Sequence, residues 1–469
     1  MKLMRKMYRW CEEHIEITIA ILSFIIITLC SRNSFLYPIN IECDINIYQT
    51  IGRGILDGLV PYKDLYDHKG PYVYLLFALL ETWQPLVYIL EIIVCAISLY
   101  YAYKIMQLYK KNSILSLVAF ACLTYFNISF HSAGAVEEFF FPMELYVTYL
   151  GLKCIKEKQE ITTKQFFLIG IYSGLMLWSK FTVLGFFVGW CIVPFAIMLK
   201  DKKYKELASN IGFIILGVIA ITIPAGIYLG VNGAIPDFIQ TYFIDNMKYA
   251  SNDNVIMNII IAIAYFSTHN TAVPVLIMLL ISIISIFRMK RTDKWYLMTI
   301  IAIMLLATYG GGRAYTQYFF PFCMFILFGV MSLLNKKWRS YTITIALTMA
   351  VLISNQEFKL MHVDVTETPQ YKFAELINKE ENPTLLMYNT MDYGFYKMTD
   401  ITPNCKYFFQ CSIEGLANKE RDGYLENKEV RFYICKDKPI EFEGYELVSA
   451  LKYAFYSDTN YYLYQLVQD

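Results

Sequence analysis

The chain has 469 residues, 57% of them hydrophobic and only 17% charged, with a formal net charge of +1, whereas soluble domains carry about 25% charged residues. That composition, with 39 Tyr and 33 Phe, excludes a disordered chain, a repeat solenoid and a cytosolic enzyme. A nearly neutral chain also lacks the basic surface that nucleic acid requires, so no nucleic-acid partner is expected.

Charge is unevenly placed. Residues 1–354 hold 50 of the 81 Asp, Glu, Lys and Arg, and the last 115 residues hold the other 31, so the first part suits a lipid bilayer and the tail suits water. Lys2, Arg5, Lys6 and Arg9 precede the apolar run 15–29, and no small-residue cleavage site follows it. The run is therefore predicted to be a retained first span. Ten more spans are predicted at about 84–103, 113–130, 139–152, 165–179, 181–199, 209–230, 271–287, 295–309, 317–334 and 340–354, giving about 11 in all.

Basic residues test that register, because cytoplasmic loops collect them. The amino terminus, Lys104, Lys110 and Lys111, and the clusters at 153–164, 200–205, 288–294 and 336–339 (among them Lys336 and Lys337) hold 22 Lys and Arg, against seven in the intervening outer segments. The run 255–266 is predicted to be a half-embedded helix within the outer loop 231–270, because a full crossing there would turn the 288–294 cluster outward. An odd number of crossings from a cytoplasmic amino terminus then leaves the tail outside, in a multi-pass protein of the cell membrane.

The tail, 355–469, alternates a helix-like stretch at 370–379 with β-rich runs at 384–388, 430–435, 445–451 and 461–467. It is predicted to be a small extracytoplasmic α/β domain beside the membrane domain 1–354. The eleven cysteines show no metal-ligand spacing, and Cys95, Cys122, Cys191 and Cys323 read as apolar packing residues. In the tail, Cys405, Cys411 and Cys435 allow one disulfide and one free thiol.

Polar groups that act on water-soluble substrates are expected where they converge at the outer boundary. The first outer loop, 31–83, is too long for a simple turn and too aromatic for disorder. Within it, 45–56 has the spacing of an amphipathic helix lying at the interface, which puts Asp44 near a helix amino end, where the dipole favours a carboxylate. Asp67-His68-Lys69-Gly70-Pro71 follows, just before an aromatic helix at 72–83, with Lys69 expected beside lipid headgroups. Glu137 and Glu138, and the glycine-rich stretch leading to Arg313, face the same compartment. Taken singly, Asp44 is a helix-capping carboxylate, and Lys69 and Arg313 are snorkelling cations. Glu91 and Glu144 lie within apolar spans, where a structural role is the default reading.

Asp44, followed by Tyr62-Lys63-Asp64 and Asp67-His68-Lys69-Gly70-Pro71, resembles the first outer loop of the GT-C superfamily of membrane glycosyltransferases. The glutamates before span four, Trp178-Ser179-Lys180, and the stretch from Gly311 through Arg313, Tyr315 and Tyr318 to Pro321 are similar to that family's later features. Nearest in kind are bacterial proteins similar to protein O-mannosyltransferases and lipid A aminoarabinose transferases. The resemblance covers the first 354 residues in layout.

It implies a GT-C-like helical membrane fold, a polyprenyl-phosphate-sugar donor, and inverting transfer to a glycan, lipid or protein hydroxyl on the outer side. Asp44 would be the general base, and Lys69, Arg313 and Tyr315 would bind the donor phosphate. Glu42, Glu137 and Glu138 would orient the acceptor or hold a divalent cation such as Mg or Mn. Tyr62, Asp64, Asp67 and His68 would order the loop. Many relatives carry His where this chain has Gln317, which supplies a hydrogen bond but no charge and leaves Arg313 as the principal cation. The competing functions are a transporter or flippase of lipid-linked sugars and an O-antigen polymerase or ligase. The first is disfavoured by the absence of internal repeat symmetry, the second by the early position of the large loop.

Overall fold

The computed structural model describes residues 2–83, 85–111, 113–249, 254–334, 338–413, 415–453 and 459–467. Lys336 and Lys337, assigned above to an inner loop, lie outside the described residues. Each apolar run predicted to span the membrane contains helix. Four stretches, Leu86–Leu108, Phe181–Lys200, Tyr204–Val231 and Thr316–Leu333, are long and apolar enough to cross a bilayer. Lys6–Glu13 and Ile15–Cys30 make a fifth if the 103° bend between them is counted within one span. The remaining helices are short, as Ile114–Tyr125 with 12 residues is, or carry charge, as Val136–Glu157 does with Glu137, Glu138 and Glu144. Among the described residues, length and composition thus mark four or five helices able to cross a bilayer, and the eleven spans predicted from apolar runs are not confirmed. The protein is a mostly helical, membrane-embedded chain with a small carboxy-terminal sheet.

The chain divides into two compact units. The first comprises Met1–Ser34, Val87–Pro224 and Ala250–Glu357. Its helices meet along seams of small residues, which suits lipid, where close backbone packing replaces the hydrophobic effect between helices. Gly170-x-x-x-Gly174 on Thr163–Leu177 faces Tyr204–Val231, and a Cβ at Gly170 would lie 2.1 Å from the Ile214 carbonyl oxygen. In the same seam the Trp178 indole donates to the Thr222 hydroxyl at 2.7 Å. Gly185-x-x-x-Gly189 faces Arg291–Tyr309 in the same way, a Cβ at Gly189 falling 2.8 Å from the Ile300 Cα. The opposite side of Tyr204–Val231 exposes Ile211, Ile215, Leu216, Ile219 and Ile223, a surface suited to acyl chains.

The second unit comprises Phe35–Leu86, Ala225–Tyr249 and Phe358–Asp469, so the first outer loop folds together with the tail. The tail carries a four-stranded sheet of β1 (Leu385–Met387), β2 (Phe432–Lys436), β3 (Tyr445–Tyr453) and β4 (Thr459–Leu466) in the order β1-β2-β4-β3. β1 and β2 are parallel, and the other pairs are antiparallel. Leu386, Leu425, Val430, Tyr433 and Tyr464 form its core, with the Tyr433 and Tyr464 rings stacked at 4.7 Å. Cys405, Cys411 and Cys435 are all buried free thiols. The disulfide allowed by their number is not formed, and burial pushes the Cys405 thiol up to about 12 and Cys435 to about 11.

Candidate functional site

In the second unit, the Cys43–Leu56 helix begins after Glu42, with Asp44 in its first turn. Every residue from Ile45 to Gly52 is buried. The helix is thus a core element and not the surface-lying amphipathic helix that its spacing predicts. The polar residues on its sides find partners within the unit. The Asn46 amide donates to the carbonyls of Asn40 (3.0 Å) and Glu42 (2.8 Å), and Lys397 reaches the Gln49 side chain at 3.2 Å. Gly52 lets the helix meet Pro71–Glu81 backbone to backbone, since a Cβ there would sit 2.6 Å from the Phe77 carbonyl carbon.

Asp44 itself is half-buried. The neighbouring Cys43 thiol is pushed well up by burial, with Glu42 and Asp44 adding to the effect and the Lys69 ammonium opposing it. Lys69 is 6% exposed and lies 5.8 Å from the centroid of the Tyr48 ring. It is a protein-buried cation, where the sequence suggested one among lipid headgroups.

The loop before Lys69 is held by its own polar groups. The Tyr62 hydroxyl donates to the Lys69 carbonyl at 2.8 Å, and Tyr62 adopts a φ of 71°. The Tyr74 hydroxyl donates to Asp67 at 2.8 Å and accepts from the Lys69 N–H at 3.0 Å. Asp64 accepts from the Val60 N–H at 2.7 Å, and the Asn246 amide donates to the His68 carbonyl at 2.8 Å. The His68 Nδ1 lies 3.5 Å from Asp67. Asp67, His68 and Lys69 are all buried, so this run is a folded turn that fixes the direction in which Pro71–Glu81 leaves it.

A second polar cluster in this unit was not anticipated. Arg53 pairs with Asp400 at 2.8 Å and approaches Glu81 at 3.7 Å. Burial raises the Glu81 carboxyl and lowers the Lys397 ammonium. Its members come from distant parts of the chain, and no local spacing announces them.

In the first unit, Glu137 and Glu138 open the Val136–Glu157 helix and are both buried. Lys180 forms an ion pair with Glu137, and its Nζ lies 3.2 Å above the Tyr318 ring. Tyr318 in turn packs on Tyr315 at 5.3 Å, while the Tyr309 hydroxyl donates to the Tyr315 carbonyl at 3.4 Å. Gly312, at φ 82°, takes the left-handed turn that leads into Arg313. Glu137, Lys180, Tyr315 and Tyr318, chosen from separate stretches of sequence, are therefore linked within one unit. The hollow beside Glu137, Lys180 and Tyr318 holds about 10 Å³, the space of a single water.

Glu138 lies 3.2 Å from His131 Nε2 and accepts from the Gly134 N–H at 2.8 Å. Its carboxyl also meets that of Glu91, which accepts from Ser31 at 2.7 Å and Asn33 at 3.3 Å. These are the partners of Glu91 that sequence could not name. Glu144 is fully buried, and neither of its carboxyl oxygens has a hydrogen-bond partner among the described residues.

Of the carboxylates considered for Mg or Mn, Glu137 pairs with Lys180 and Glu138 lies beside His131. Among the described residues no three His, Cys, Asp or Glu side chains converge as metal ligands would. No protein-family model matches this chain, and no curated protein matches it.

Proposed function

We propose that the chain is a membrane glycosyltransferase that moves a sugar from a polyprenyl-phosphate donor to a hydroxyl of a glycan, lipid or protein acceptor, on the outer side of the membrane and with inversion. The observation that supports this most is the ordered first loop. Asp44 stands half-exposed in the first turn of a buried helix, with the Lys69 ammonium close enough to act on the adjoining Cys43.

In this reading Asp44 takes the proton of the acceptor hydroxyl as that oxygen attacks the anomeric carbon. The bond from that carbon to the donor phosphate breaks, and its electron pair departs on the polyprenyl phosphate. Lys69, which belongs to the same unit as Asp44, stabilises the charge that develops there. A phosphate held by cations leaves readily, so the mechanism requires no strong general acid.

Asp44→Asn, assayed in vesicles containing a polyprenyl-phosphate sugar, is expected to lower transfer by about 10²–10⁴-fold while donor binding persists. Undiminished transfer removes Asp44 as the base. Following carrier movement across the same vesicles separates the enzyme from a flippase, since movement without any sugar transfer contradicts the proposal.

A further inference from the structure

The lysines of the predicted inner loops are not equivalent. Lys156 is paired with Asp293 at 3.2 Å and Lys203 with Glu160 at 2.9 Å. Lys104 and Lys153 make no ion pair among the described residues, and both line one hollow of about 280 Å³ in the first unit. Its walls also carry Tyr100, Tyr101, Tyr146 and Tyr149.

The geometry repeats on two helices. On Leu86–Leu108 the Lys104 ammonium lies 5.3 Å from the centroid of Tyr100, one turn earlier, and on Val136–Glu157 the Lys153 ammonium lies 5.8 Å from that of Tyr149. Each lysine follows its tyrosine by four residues, the spacing that stacks side chains on one helix face. Tyr101 packs between the two helices, 4.9 Å from Tyr146 and 5.9 Å from Tyr149. The result is a polar recess lined by phenol rings and two ammoniums that make no ion pair among the described residues. Glu160, the one acid lining it among the described residues, pairs with Lys203, which lies outside the lining, and with neither Lys104 nor Lys153.

Tyrosine belts and lysine ammoniums mark headgroup depth in a membrane, and a compact ammonium is a common partner for phosphate. We propose that this recess binds a phosphate ester, with the headgroup of an anionic phospholipid as its source. It lies at the helix ends that the basic-residue count assigns to the cytoplasm. The inference is independent of the proposed sugar transfer. The volume admits a phosphate with its ester substituents and leaves the acyl chains outside, along the helices.

The test uses the full chain in a detergent that lacks phosphate, with bound lipid read by native mass spectrometry. Phosphatidylglycerol is expected to be retained, and diacylglycerol with the same chains is not. Lys104→Gln with Lys153→Gln is expected to weaken retention at least tenfold, whereas Lys164→Gln, on an exposed residue in the first turn of Thr163–Leu177, leaves it unchanged. Inorganic phosphate as competitor distinguishes the sources. Weak competition supports the lipid, and competition as strong as that of the lipid assigns the recess to a soluble phosphate. Independently of any variant, phosphatidylglycerol should slow acetylation of Lys104 and Lys153 in the unaltered protein relative to Lys164. Equal retention of diacylglycerol, unchanged binding in the double variant or unprotected lysines would each overturn the proposal.

Discussion

Asp392 is fully buried beneath the first turn of Phe395–Thr399, where its carboxylate accepts the N–H groups of Gly394 and Phe395 at 3.0 and 2.8 Å. Burial raises its carboxyl from 3.8 to about 6, although those hydrogen bonds and the Thr50 hydroxyl pull the other way. As pH rises through this window the unfolded chain releases its proton first, while the folded chain still holds one. Stability therefore falls across the window, by about 2–3 kcal/mol, and stays lower above it. Asp392→Asn keeps an acceptor oxygen and removes the charge, so it should flatten this part of the stability curve and raise the melting temperature at pH 7. An unaltered pH slope in thermal unfolding would count against a buried charge here. At this scale the sequence pointed to Asp44, Lys69, Glu137 and Arg313 by residue type and position. It gave no sign of Asp392, whose Thr50 contact spans 342 residues. Arg313→Gln tests, at the same scale, the donor-phosphate role that the family resemblance implies for this residue. The donor concentration for half-maximal transfer should rise about tenfold, equivalent to about 1.4 kcal/mol, and an unchanged dependence removes that role.

Among the elements, the contact between Cys43–Leu56 and Pro71–Glu81 depends on a residue without a side chain. At Gly52 even a methyl group meets the Phe77 backbone, so Gly52→Val must push the two helices apart. The expected cost is about 1–3 kcal/mol in thermal unfolding, with a larger fractional loss of the proposed sugar transfer because the helix bearing Asp44 moves. Wild-type stability in this variant would show that the contact is dispensable. The membrane helices follow a similar rule. Gly170→Leu should separate Thr163–Leu177 from Tyr204–Val231 and lower the melting temperature, whereas the same change at Gly212, where nothing lies near the added carbon, should have little effect. Neither Gly-x-x-x-Gly spacing entered the reading of the sequence, although such spacings are a helix-contact signal in membranes. The interfacial reading of 45–56 was not a safe one, because its hydrophobic spacing is shared by helices that lie on lipid and helices that lie inside protein. What distinguishes this helix is the partners of Asn46, Gln49 and Thr50 within its unit.

Over the whole chain, long-range pairs close each unit. Arg32 and Glu357 form a two-bond ion pair at 2.5 and 2.6 Å, both largely buried, across 325 residues of the first unit. Glu357→Gln strands a buried guanidinium and is expected to cost about 3–5 kcal/mol, measured as loss of thermal stability in detergent. A loss below about 1 kcal/mol would indicate that solvent reaches the pair. Composition and hydrophobic runs determined, without any coordinates, that the first 354 residues form apolar helices and that the tail forms a small sheet, because burial in lipid or in a core imposes a local pattern on side chains. Only the tertiary structure decided that the first outer loop folds with the tail, that Lys69 is buried among tyrosines, and that Glu91 meets Glu138. Those outcomes depend on which distant surfaces come together, and a residue's neighbours along the chain carry no record of that.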